Sequence, residues 1–77
     1  MNIKYIENPS QTFRDKNGEL IKVGFKIKTN IDDQFLDSII REEEGVLGLY
    51  FKSSDIFIRL DNMLERFFDT VEIIERK

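Results

Sequence analysis

Apolar and polar residues alternate most regularly over residues 19–29. Ile21, Val23, Phe25 and Ile27 fall on one side of an extended chain, and Lys22, Gly24, Lys26 and Lys28 on the other. That period of two is the pattern of a half-buried strand. Upstream, residues 2–7 and 10–14 also read as extended, with a kink at Asn8-Pro9 because proline gives the ladder no donor. Asp15-Lys16-Asn17-Gly18 joins the two runs as a type I turn ending in a left-handed Gly18, which sets Arg14 opposite Leu20 and Phe13 opposite Ile21. The first unit is therefore predicted to be a β-hairpin.

Further along, the period changes. Ile31, Phe35, Leu36, Ile39 and Ile40 recur at the spacing of one helical face. Asn30 suits an N-cap, Asp32 and Asp33 a first turn, and Gly45 a helix stop. Residues 46–51 are continuously apolar, as in a central strand buried on both faces. Residues 55–69 admit two readings, of which the first is preferred. Ile56, Leu60, Met63, Leu64, Phe67 and Phe68 fit one helix capped by Ser54, leaving Ile58 on its polar face and Asp55 paired with Arg59. The alternative is a short strand over 55–60 and a helix from Asp61. Residues 70–76 read as a strand by their Val and Ile content. The order is ββαβαβ, which predicts an α+β fold: a single two-layer domain over 1–77, with a mixed four-stranded sheet, right-handed crossovers and helices on one face.

Composition narrows the function. The 77 residues include no His, Cys, Trp or Ala. Without imidazole or thiol, the usual near-neutral base and the strongest nucleophile are missing, and zinc loses its normal ligands. Asp33 and Asp37, one helical turn apart, could share a hard cation, but no loop of oxygen ligands supports them. The glycines at 18, 24, 45 and 48 fit no phosphate-binding spacing. The expectation is a non-enzyme without metal or cofactor, one that works by binding. The 11 Ile, 6 Leu, 3 Val and 7 Phe supply a core of large side chains, needed where only about 60–65% of the unfolded surface is buried. No apolar run reaches the length of a membrane span, and residues 1–7 do not read as a signal peptide. With no cysteine, a cytoplasmic location is expected.

Charge then suggests where binding occurs. The net charge is −3, but residues 1–29 carry six Lys/Arg against three acids, and residues 30–77 six against twelve. On the predicted first helix, Asp33, Asp37 and Glu44 share the outer face with Arg41 and Gln34. Glu42-Glu43-Glu44 places three acids at the helix end where the macrodipole opposes them. A local rule broken without visible gain marks a candidate surface. Asp33, Asp37, Glu42, Glu43 and Glu44 are the candidate partner-binding residues, with Ile58 as an exposed anchor. The corresponding function is an inhibitor or modulator that docks an acidic surface on a basic, nucleic-acid-handling protein. The alternatives are a nucleic-acid module that uses Lys22, Lys26 and Lys28 on the hairpin, and an assembly subunit, in which edge strands or Ile58 would form a homodimer. Direct nucleic-acid binding is disfavoured because an acidic protein gains little phosphate affinity from a few lysines, and Phe25 points away from the lysine stripe.

Overall fold

A computed structural model describes residues 12–76. It contains β1 (Lys26–Ile31), β2 (Gln34–Glu43), β3 (Val46–Phe51), β4 (Ile56–Arg59), α1 (Leu60–Phe67), a 3₁₀ turn (Phe68–Thr70) and β5 (Glu72–Glu75). The five strands form one antiparallel sheet in the order β4-β3-β2-β1-β5. The ββαβαβ order with a mixed sheet and two helices is thus corrected to a meander of four strands, one helix, and a last strand that returns beside the first.

The largest correction falls on residues 31–44. They form no helix but a tight turn and the longest strand. Asp32 and Asp33 have φ of 54° and 65°, and Ile31 pairs with Gln34 across them. Glu44 and Gly45, at 54° and 81°, make a second two-residue turn closed by Glu43 and Val46. Both turns have positive φ at both residues, the I′ pattern whose twist matches that of flanking strands. The sequence misleads because its apolar residues come in adjacent pairs, Phe35-Leu36 and Ile39-Ile40. A helix gathers such pairs onto one stripe, while a central strand sends one member to each face. Helix propensity in fact favours the strand, since Asn, Asp, Ser, Ile and Phe fill the segment.

The preferred single helix over residues 55–69 is also corrected: the chain follows the alternative, a short strand and then a helix. A four-residue loop leads into β4, and α1 begins at Leu60. In α1, Leu60 and Met63 are buried, and Leu64 and Phe67 pack beside them, the i, i+3, i+4, i+7 stripe of a helix laid on a sheet. Asp55 therefore does not pair with Arg59, whose guanidinium instead grips Asp61 through Nε at 3.1 Å and Nη2 at 2.8 Å. The strand predicted over 19–29 is interrupted. Residues 22–25 turn, with Phe25 N–H donating to Lys22 C=O at 3.1 Å, and only then does β1 begin.

The core lies between α1 and one face of the sheet, with Ile27, Ile40, Leu49, Leu60 and Val71 fully buried. Ile21 and Phe25 join it from the preceding segment. The hairpin prediction holds locally: Arg14 bridges Leu20, and Gly18 is left-handed at φ 85°. Its first strand at 2–7 and the Asn8-Pro9 kink lie outside the described residues.

Asp15 joins this turn to β5. Its buried carboxylate accepts N–H from Asn17 (3.0 Å) and Glu19 (2.9 Å) on Oδ1, and from Ile73, 58 residues away, on Oδ2 at 3.1 Å. Burial pushes this carboxyl upward. The three N–H groups of Ile73, Glu19 and Asn17, with the charge of Arg76, outweigh that and hold it below the ordinary Asp value.

Candidate functional site: the open face of the sheet

α1 packs on one side only, and among the described residues nothing covers the opposite, open face of the sheet, where strand alternation decides what is displayed. Lys26, Lys28 and Asn30 come from β1, and Phe35, Asp37, Ile39, Arg41 and Glu43 from β2. Gly48 and Tyr50 come from β3, and Phe57 and Arg59 from β4. Phe35 is 66% exposed and Ile39 39% exposed.

Cross-strand contacts organise these side chains. Lys28 Nζ sits 5.1 Å from the Phe35 ring centre and the Arg41 guanidinium 4.2 Å from that of Tyr50, both within cation–π range. The Tyr50 hydroxyl donates to Asp55 Oδ1 at 2.7 Å. This bond raises the phenol above its ordinary value, desolvation adds to it, and Arg41 works in the other direction. The Phe57 ring lies across Gly48. A Cβ there would meet Phe57 Cζ at 2.3 Å and Ile58 C=O at 2.7 Å, so only glycine lets the ring lie flat on the sheet.

The cations of this face are largely neutralised by neighbouring acids. Lys26 pairs with Glu75 at 3.4 Å, Arg41 with Glu43 at 3.5 Å, and Arg59 with Asp61 at 2.8 Å. The result is an amphipathic surface, apolar and aromatic at its centre, with little net charge.

The acids predicted as one helical patch are separated. Asp33 sits in the β1–β2 turn and Glu44 in the β2–β3 turn, at opposite ends of the ten-residue β2. Asp37 and Glu43 lie on the open face, Asp37 opposite Lys28. Glu42 projects from the helix side. The helix-end argument for Glu42, Glu43 and Glu44 falls with the helix. Ile58, expected as an exposed anchor on a helix, is a half-buried residue of β4 packed against the core. Of the alternative set, Lys26 and Lys28 lie on the open face and Lys22 in the exposed turn before β1.

Sequence reasoning missed Phe35, Ile39, Tyr50 and Phe57 as surface residues. It assigned Phe35 and Ile39 to a helix core. The signal that could have located them was Asp32-Asp33 read as a turn, which would have turned the adjacent apolar pairs into two sheet faces. No protein-family profile, curated protein or solved structure matches this chain.

Proposed function

We propose that the chain is a small non-catalytic binding protein that docks its open sheet face on a protein partner with a basic surface, and so inhibits or modulates it. The observation that carries this reading is the exposure of Phe35 and Ile39 beside the stacked Arg41–Tyr50 pair. A domain this small has little apolar surface to leave uncovered. Aromatic residues, Arg and aliphatic anchors ringed by polar groups are what protein interfaces use as hot spots.

Charge supports a protein partner over nucleic acid. Three of the cations on the face are held in ion pairs with acids, so phosphates would have to displace carboxylates. Four acids that take part in no ion pair among the described residues, Asp32 and Asp33 at one tip and Glu42 and Glu44 at the other, flank the apolar centre. Such a rim would steer a basic surface onto it and raise the association rate at low salt. No described helix is long and apolar enough to cross a membrane, and a cytoplasmic site of action belongs to the same reading.

The test is affinity capture from the native host, followed by association kinetics with the captured partner. Ile39→Ser and Phe35→Ala should each weaken binding at least about tenfold, the loss of one hot-spot anchor. Binding that survives both substitutions but disappears with Lys22, Lys26 and Lys28 changed to Gln would replace this reading with the nucleic-acid or acidic-ligand one.

A further inference from the structure

Three of the exposed large apolar side chains, Phe35, Leu36 and Ile56, gather at one end of the sheet. With Ile31, Phe51 and Ile58 they line a groove of about 780 Å³ to which α1 contributes no residue. The groove crosses this end of the sheet from β1 to β4, and β4 is an edge: among the described residues no strand pairs with its outer side. An edge strand presents unpaired N–H and C=O groups at every second residue, and natural proteins usually blunt such edges with proline, bulges or charge. Here the strand is Ile-Phe-Ile-Arg, with one charged residue and a continuous register to β3. Ile56 and Ile58 project into the groove, and Phe57 and Arg59 onto the open face.

The charge at this end is one-sided. Asp32, Asp33, Asp37 and Asp55 stand against Lys28 and Lys52, and none of the six takes part in an ion pair among the described residues.

Resting on the binding function above, we propose that β4 and this groove receive an extended segment of the partner, added as a sixth strand, in which apolar residues alternate with lysine or arginine. Strand addition derives affinity from main-chain hydrogen bonds and specificity from pockets for alternate side chains. The β4 edge supplies the first and the groove the second. The surplus of carboxylates selects basic residues at the positions between. A docked helix would leave the β4 edge unpaired, and a nucleic acid would bring phosphate against four aspartates.

The experiment titrates the full, isotope-labelled chain with a blocked seven-residue peptide of alternating isoleucine and lysine. A peptide of the same composition, with the two residue types in separate blocks, is the control. The alternating peptide should bind about tenfold more tightly, equivalent to one well-seated anchor. It should shift and protect the amides of Ile56–Arg59, and lose that advantage in Ile56→Lys. Ile56 is 48% exposed, so this variant should keep a dispersed spectrum. If it does not, Leu36→Lys, at a site 37% exposed, serves in its place. Equal binding of the two peptides, unchanged binding by the variant, or shifts confined to residues 42–45 would overturn the proposal. So would a mass that rises with concentration in peptide-free light scattering, because a second copy would then occupy the edge. If Ile39→Ser abolishes partner capture while Ile56→Lys does not, the open face stands as the binding surface and the groove does not.

Discussion

Removing the Asp15 carboxylate should destabilise the fold in a way that depends on pH. Asp15 accepts three main-chain N–H groups, and the one from Ile73 ties the N-terminal turn to β5. In Asp15→Ala, water can take over at the more exposed Asn17 and Glu19, but Ile73 N–H is left buried and unpaired. A hydrogen bond to a charged acceptor is worth about 1.5–3 kcal/mol and an orphaned buried donor costs about 1–3 kcal/mol, so the loss at pH 7 should be about 3 kcal/mol. Asp15→Asn keeps the shape but not the charge and should lose about half as much. The folded-state pKa of Asp15 lies below its unfolded value. Its stabilisation is therefore complete above the unfolded pKa, near 3.8, and fades as pH falls through the lower folded value. Urea unfolding followed by circular dichroism at pH 7 and in steps below pH 4 would measure it. The gap between native and Asp15→Asn should shrink toward acid. A gap that stays constant with pH, or an Asp15→Ala variant as stable as the native chain, would refute the reasoning.

Four further outcomes are expected. Gly48→Ala should cost about 1–3 kcal/mol by overpacking against the Phe57 ring and the Ile58 carbonyl, visible as a lower Tm. Ile40→Ala, in the fully buried core, should cost about 2–5 kcal/mol, whereas Phe35→Ala should change stability by less than about 1 kcal/mol; similar losses at the two sites would mean that the open face is not open. Replacing Asp32-Asp33 with Asn-Gly should raise stability by about 0.5–1 kcal/mol in thermal melts, because these residues suit positive φ better. Changing Glu42, Glu43 and Glu44 together to Gln should leave stability within about 1 kcal/mol, since among the described residues only Glu43 of the three holds an ion pair; it should slow partner association at low salt more than at high salt.

What the sequence revealed and what it hid divide along a physical line. Local chemistry was legible. Gly18 fixed a turn and its pairing, the apolar run at 46–51 is an inner strand, although buried on one face only, and Leu60, Met63, Leu64 and Phe67 mark a helix by spacing alone. Residues 31–44 were misread because two periodicities fit the same apolar pairs, and only the partner strands decide between them. The candidate site was the least visible part. Lys28 with Phe35, and Arg41 with Tyr50, meet across strands, and no spacing along one strand encodes that meeting. The acids were seen as residues but misplaced as a surface, because their grouping depended on a helix that does not form.

The return of β5 to the side of β1 has a consequence for the chain during its synthesis. The β1–β4 hairpins close through loops of two, two and four residues, so they can form as soon as each strand is made. β1 must wait for residues 72–75 before its outer side is occupied. Until then, or in any chain cut before Glu72, Lys26–Ile31 is an unsatisfied template on which another copy can zip. Lys26 and Lys28, alternating with Ile27 and Thr29, are the kind of charged residues that discourage this pairing. Losing those two charges should thus show itself first as lower soluble yield during expression, before any change in the melting of the finished protein.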